Sequence, residues 1–411
     1  MKKIAIIGAG PAGMTAAGFL HRAGIDPDVY EHSERPGRKL GITGKGRCNL
    51  TNNCPASEVI ANIPTNPRFL YGAVNSFTPA DTMELFESLG VPLKTERGNR
   101  VFPVSDKARD IVDALVRFMG VKPINEEVSG VAVRGEGFSV KTDKAEREYE
   151  TVLIATGGRS YPSTGSTGDG YRFARELGHT VTPVYPSLIP LTAAGDECRR
   201  MMGLSLKNVA VSVTDKTSGR TIYEDFGEMM FTHFGITGPV VLSASSHMRK
   251  IEPGMWRFDI DLKPALDREK LDRRLLSDFE KYRNKDLRNG LSDLLPKAMI
   301  SVFIDKCGIA PEKKINSITR AERQTILDTL KRFSVDITGT RPIEEAIITS
   351  GGVSVKEIDP KTMRSKIVKG LYFAGEVIDV DAYTGGFNLQ IAFSTAVSAA
   401  RAIIDNTEVQ K

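Results

Sequence analysis

The first apolar run of the chain is short and bounded by glycine. Lys2-Lys3-Ile4-Ala5-Ile6-Ile7 predicts a compact buried strand. Gly8-Ala9-Gly10-Pro11-Ala12-Gly13 follows at once, and Met14 to Leu20 predicts a helix. A second strand, Pro27 to Tyr30, ends in Glu31. Further on, Thr78-Pro79-Ala80-Asp81 can start a helix and Gly90 can end it. Lys107 to Met119 predicts another, with Ile111, Leu115 and Phe118 at helical spacing; Asn99 to Pro103 between them reads as strand or loop. Val128 to Lys141 alternates about Gly135-Glu136-Gly137 and predicts a hairpin. Thr151 to Ala155 is a further strand running into Thr156-Gly157-Gly158, and the turn-rich stretch Tyr161 to Gly170 leads to a helix over Tyr171 to Leu177.

The pattern then changes. Val209, Val211 and Val213 alternate, as do Trp256, Phe258, Ile260 and Leu262, which predicts half-buried strands. From Leu266 to about Thr329 the pattern is charged and helical, with Leu271, Leu275 and Phe279 on one face. From Ile347 the opening pattern returns: short apolar runs, glycine turns, then a long Ala- and Ser-rich helix over Phe387 to Ile404. The expected layout is a first domain over 1–190, a strand-rich insertion over 191–264, a helical insertion over 265–330, a return over 331–346, and the rest of the first domain over 347–411.

Strand, glycine turn and helix in this order are the context that the dinucleotide fingerprint G-x-G-x-x-G requires. Gly8 makes the tight turn, Gly10 lets a pyrophosphate approach the backbone, and Gly13 lets helix and strand pack closely. The helix N-terminus adds free N–H groups and about half a positive charge. Glu31 lies where a ribose hydroxyl needs an acceptor, and its charge would repel a 2′-phosphate, so FAD or NAD is expected rather than NADP. Arg35 to Asn49 interleaves glycines with cations and suits an anion or the cofactor. Near the other end, Thr384-Gly385-Gly386 precedes the long helix, whose first-turn N–H groups at Phe387, Asn388 and Leu389 suit the N1 and O2 side of a reduced flavin.

Length and composition narrow the picture. At 411 residues the chain is too long for one core. A net charge of +5 is modest; it suits an acidic substrate without singling out nucleic acid. No apolar run is long enough to span a bilayer, and the N-terminal run is too short for a signal peptide, which leaves a cytoplasmic location as the default. Four cysteines do not make a disulfide framework. Cys48 and Cys54 resemble the redox pair of flavin disulfide reductases, but five residues separate them, one more than in that family, and the preferred reading is two reduced thiols. No metal is expected, because the cysteine spacing is wrong and His21 and His32 complete no ligand set.

Together these stretches resemble the YhiN-like, BaiN-like flavoproteins, also called the aminoacetone oxidase family of FAD-binding enzymes. The likeness is carried by Gly8 to Gly13, Gly44 to Asn52, Ala155 to Gly158, Phe231 to Pro239, and most specifically Phe373 to Gln390. It implies an α/β fold in which a Rossmann-like FAD-binding domain is built from both chain ends and interrupted by a β-barrel-like domain and a helical domain. The cofactor-binding residues expected on motif and resemblance together are Gly8, Gly10, Ala12, Gly13, Glu31, Arg38, Lys39, Gly44, Arg47, Cys48, Asn49, Val128, Thr156, Gly157, Gly158, Gly375, Glu376, Gly385, Gly386, Asn388 and Leu389.

The resemblance fixes the cofactor better than the reaction, since members are linked to substrates as different as aminoacetone and unsaturated steroid acids. The expected activity is an FAD-dependent oxidoreductase moving a hydride between a small organic substrate and flavin N5. Oxygen or transiently bound NAD(P)H would be the second substrate, because there is no second fingerprint. His233 and Tyr383 are the acid–base candidates. Two alternatives stay open: an FAD-dependent RNA-modifying enzyme, and a flavin-bound sensor without turnover.

Overall fold

The computed structural model describes residues 3–248 and 251–408. The chain divides into two compact units, Met1–Ser187 with Ile343–Lys411, and Leu188–Pro342. In the first, four parallel strands lie in the order Leu371–Phe373, Thr151–Ile154, β1 (Ile4–Ile7) and β2 (Asp28–Tyr30). Lys2, assigned to the first strand from sequence, lies outside the described residues. All four residues of β1 and of Thr151–Ile154 are buried, as expected of a parallel sheet covered on both faces. β1 leads directly into α1 (Pro11–Arg22).

α1 packs closely on the helix Ala108–Met119, because a Cβ on Gly18 would lie 2.3 Å from the Phe118 ring. The long C-terminal helix, Phe387–Glu408, buries Ala392, Phe393, Ala396, Val397 and Ala400 in the same core. It is the one helix among the described residues long and apolar enough to cross a membrane, and its apolarity is that of a core helix, since most of it is buried inside the unit. Its buried Gln390 is fully satisfied: Oε1 accepts from Thr51 Oγ1 (2.6 Å) and Thr82 Oγ1 (2.8 Å), and Nε2 donates to the Phe77 carbonyl and Ser394 Oγ (3.0 Å each). A buried amide with all partners in place fixes the register of the helix against its neighbours.

Two three-stranded sheets and the antiparallel pair of Tyr185–Ser187 with Ile348–Ser350 complete the unit. β3 (Thr51–Asn52), β4 (Leu93–Glu96) and β5 (Arg100–Pro103) form one, with β5 in the middle, so the Asn99 to Pro103 stretch is strand for most of its length. The expected hairpin forms the other as Val128–Arg134 and Gly137–Thr142, joined by a third strand, Glu146–Tyr149, that the sequence pattern did not show.

The second unit is a closed six-stranded barrel with helices against it. The barrel order is Leu191–Ala193, Gly235–Thr237, Thr221–Phe231, Ser205–Asp215, Trp256–Asp261 and Phe333–Thr340, the last pairing with the first. Val211, Val213, Phe231, Phe258, Ile260 and Phe333 share one continuous core with Leu271, Leu275, Phe303 and Ile326 from the helices. The strand-rich and helical insertions are therefore one packed body, and the stretch read as a return, 331–346, contains the strand that closes the barrel.

Candidate functional site

The C-terminal ends of the parallel strands in the first unit bring most of the expected residues together. Gly8 follows β1 with φ +102°, and a Cβ there would lie 2.7 Å from the Ala155 carbonyl at the end of the neighbouring strand. A Cβ on Gly13 would stand 1.9 Å from the Gly8 carbonyl. Only glycine permits both approaches. Gly10 is different: nothing lies within 4 Å of where its Cβ would be, and as the N-cap of α1 it has no side-chain cap. The helix thus presents its orphan N–H groups and its positive end beside open space.

Glu31 closes this turn. Its Oε2 accepts from the Ala9 N–H (3.1 Å) and its Oε1 from the Ser33 N–H (2.8 Å). A carboxylate has about four acceptor positions, so capacity remains for a hydroxyl. The Gly37 N–H donates to the Ala9 carbonyl (3.0 Å), which holds the start of α2 (Arg38–Ile42) against the fingerprint. Arg38 is exposed on that helix. Val128 is buried at the start of its strand, four residues after Ile124, whose carbonyl accepts from the Glu31 N–H (3.0 Å).

Lys39 and Glu376 face each other. The Lys39 ammonium donates to Glu376 Oε2 (2.7 Å) and to Ser160 Oγ (2.6 Å). Glu376 Oε1 accepts from the Thr349 N–H (2.9 Å) and from Ser160 Oγ (3.2 Å). This carboxylate fills the space beside Gly158, where a Cβ would stand 2.6 Å from it. Gly375 approaches the Ala12 methyl, 3.1 Å from where its own Cβ would be. Thr156 Oγ1 is buried without a partner, next to Gly157. Ser160 and Thr349 were not singled out from sequence; a hydroxyl two residues beyond a glycine turn carries no signal of its own.

The loop after α2 takes an unusual path. Gly44, Lys45, Gly46 and Cys48 all have φ between +56° and +80°. Cys48 is fully buried, and burial pushes its thiol up to about 12; Cys54, half-buried, is pushed up to about 11 by the same cause and by Glu58. Neither is a thiolate near neutral pH, in keeping with two inert thiols. The Arg47 guanidinium is taken up by Glu96 and Asp106 and stacks on the Phe102 ring at 4.2 Å. Asn49 Oδ1 is buried without a partner.

The turn before the C-terminal helix rests on β3. Gly386 has φ +99°, and a Cβ there would lie 2.4 Å from the Thr51 carbonyl. Asn52 Nδ2 bridges two carbonyls, Gly98 (3.0 Å) and Gly385 (3.1 Å), while its Oδ1 is buried and unpartnered. Asn388 holds the turn from the other side: its Oδ1 accepts from the Ala382 N–H (2.9 Å) and its Nδ2 donates to the Ala382 and Tyr383 carbonyls. Leu389 is half-buried beyond it. Tyr383 is half-buried, and its N–H donates to the Asn62 carbonyl (3.0 Å).

His233 belongs to the second unit. It is exposed on the turn between two barrel strands, a turn pinned by Thr232 Oγ1, which donates to the Gly235 carbonyl (3.1 Å), and its ring meets Phe234 edge-on at 5.0 Å. No group of three or more His, Cys, Asp or Glu that could hold a metal occurs among the described residues.

A parallel sheet, a glycine turn and an uncapped helix at its crevice define a Rossmann-type nucleotide-binding protein. The chain belongs to the HI0933-like Rossmann-domain family, whose model matches residues 2–402. It is 30% identical to the 3-dehydro-bile acid delta(4,6)-reductase of Clostridium scindens over 98% of this chain and 99% of that protein. It is 32% identical to the ribosomal RNA dihydrouridine synthase of Escherichia coli, over 97% of each. Among solved structures, the 3-ketosteroid delta1-dehydrogenase of Sterolibacterium denitrificans shares the fold, with a TM-score of 0.52 at 12% identity over 98% of this chain and 99% of that one.

Proposed function

We propose that the first unit binds FAD and that the protein is an oxidoreductase that saturates a carbon–carbon double bond conjugated to a carbonyl. The observation that carries the FAD assignment is the open space at Gly10 in front of an uncapped helix N-terminus, with Glu31 fixed at the end of the next strand. Buried polar atoms still lacking partners, Ser33 Oγ at one end and Asn49 Oδ1 and Asn52 Oδ1 at the other, fit an extended polar ligand. Gly8 to Gly13 would hold the pyrophosphate and Glu31 the adenosine ribose. The turn Thr384 to Gly386, with the first N–H groups of the C-terminal helix, would hold the ring. When bound, FAD would supply a two-electron carrier that, once reduced, donates hydride from its N5 position.

The reaction class draws support from the two curated relatives. A delta(4,6)-reductase and a dihydrouridine synthase share one chemistry in their names: a double bond gains two hydrogens. The second hydrogen must arrive as a proton from an acid. Tyr383, one residue before the turn, is the proposed donor through its hydroxyl. NAD(P)H is the proposed electron source. The test is an anaerobic titration of the purified protein with NADH and NADPH, followed by addition of enone steroids or uridine-containing RNA. Bleaching by a nicotinamide and recovery of the yellow colour on adding an unsaturated carbonyl compound are expected. Retained FAD that no donor reduces would favour a sensor.

A second reading, RNA as the carrier of the double bond, has one observation in its favour beyond the relative's name. The second unit holds 26 Lys and Arg against 21 Asp and Glu, while the first holds 30 of each, so the whole excess of +5 belongs to the barrel and its helices. RNA binding that weakens steeply with salt would support it.

A further inference from the structure

The first unit is electrically balanced as a whole, yet one corner of it is not. The segments 43–49 and 93–107 carry six cations, Lys45, Arg47, Lys94, Arg97, Arg100 and Lys107, against two anions, Glu96 and Asp106. Both anions are already neutralised: Arg47 pairs with each, and Lys94 lies 2.7 Å from Asp106 and 3.5 Å from Glu96. Arg97 and Arg100 have no ion pair among the described residues and are exposed, at the tip of the hairpin between β4 and β5. That tip is stiffened. Gly98 and Asn99 take left-handed conformations (φ +73° and +56°), Arg100 Nε donates to the Arg97 carbonyl (3.0 Å), and Asn99's carbonyl accepts from the Asn53 N–H (2.6 Å).

The tip is also joined to the turn proposed for the flavin ring. The Asn52 amide donates at once to the carbonyl of Gly98, between the two arginines, and to that of Gly385. One side chain therefore ties the backbone between the two arginines to the 384–386 turn. We infer that Arg97 and Arg100 form a recognition site for an oxyanion of the substrate, a carboxylate or a phosphate, and hold it while the rest of the substrate reaches the ring. Arginine suits this task because its planar fork matches both groups with two hydrogen bonds. The inference rests on the FAD reading above.

The experiment compares the native protein with Arg97→Glu/Arg100→Glu and with Arg97→Gln/Arg100→Gln, which keeps length and polarity. FAD content is measured first. Flavin absorbance is then titrated with an unsaturated steroid carboxylic acid, with its neutral methyl ester, and with a short oligouridylate. The expected result is an anion affinity at least tenfold weaker in the Glu pair and less weakened in the Gln pair, with FAD content unchanged and the ester unaffected. If the anion is an RNA phosphate, the oligouridylate responds instead. The slope of log affinity against log salt then falls by about 1.4, at about 0.7 per single-strand contact. Absence of FAD from the native protein overturns the flavin reading and this inference with it. FAD retained with unchanged anion affinity in the Glu pair, or failure of every anion to bind the loaded native protein, overturns the hairpin assignment alone.

Discussion

The Lys39 ammonium and the Glu376 carboxylate lie 337 residues apart in sequence and meet at 2.7 Å. Ser160 touches both, so three segments that follow β2, the strand Thr151–Ile154 and the strand Leu371–Phe373 are tied at one point. Both side chains are about four-fifths buried, which removes much of the solvent screening that makes surface pairs weak. Lys39→Met should leave Glu376 short of its cationic partner and cost about 1–3 kcal/mol, below the range for fully buried pairs. A double-mutant cycle with Glu376→Gln, read by urea denaturation, should show coupling of at least about 0.5 kcal/mol. Additive losses would mean that the pair contributes nothing beyond its separate side chains.

A pH dependence follows from His179. The ring is buried against Phe373 at 4.9 Å, and Nε2 shares a hydrogen bond with Ser365 Oγ (2.8 Å). Ser365 Oγ already accepts from the N–H groups of Ile367 and Val368, so its own proton goes to the imidazole. Burial holds His179 below its ordinary 6.5, against the opposing pull of Glu357. The unfolded chain therefore binds the proton first, and stability is lost as pH falls below about 6.5. Burial pushes the Glu357 carboxyl up, but the Thr180 hydrogen bonds and the facing His179 together hold it below its ordinary range, which adds a further loss at lower pH in the same direction. Denaturation midpoints measured from pH 7.5 to 5 should drop, and should drop less in His179→Gln. Equal slopes for both proteins would remove His179 from the explanation.

The cysteines offer a contrast between position and chemistry. Cys48 lies in the expected cofactor loop, but it is buried and its thiol is pushed up to about 12. Alkylation at pH 8 should leave Cys48 unmodified in the native fold, and Cys48→Ser/Cys54→Ser should reduce flavin within a few-fold of the native rate. A loss of about a hundredfold with FAD still bound, roughly 2.7 kcal/mol of barrier, would restore the redox pair.

What could be read from sequence was what local pattern encodes. β1, α1 and the glycines between them were legible because run length and glycine spacing reflect contacts a few residues away. The strand Glu146–Tyr149 was not, because Glu-Arg-Glu-Tyr has no apolar alternation. Phe333, Val335 and Ile337 do alternate and are buried in the barrel, but the closure that the end of their strand, Ile337 to Thr340, makes with Leu191–Ala193 spans the whole insertion. The same limit hid the partners of Gln390 and the meeting of Lys39 with Glu376. The residue types were visible, whereas the pairings depend on how distant segments are brought together. Arg47 shows the converse: a cation in a glycine loop suggested a phosphate contact, and two nearby carboxylates occupy it instead.

The Gly8 to Gly13 turn is proposed to hold the pyrophosphate of FAD. Gly10 tests this cleanly, because its backbone angles, φ −78° and ψ −175°, suit any residue and no protein atom lies within 4 Å of the added Cβ. Gly10→Val should therefore fold as the native protein does, whereas Gly13→Ala should not, since its Cβ would stand 1.9 Å from the Gly8 carbonyl. The decisive measurement is the FAD content of purified Gly10→Val beside the native protein, with thermal unfolding recorded on both apoproteins. The expected result is a yellow native protein releasing one FAD per chain, and a folded, colourless Gly10→Val protein with an unchanged apoprotein midpoint. A Gly10→Val protein that retains FAD as tightly as the native one, or a native protein that binds none, would contradict it.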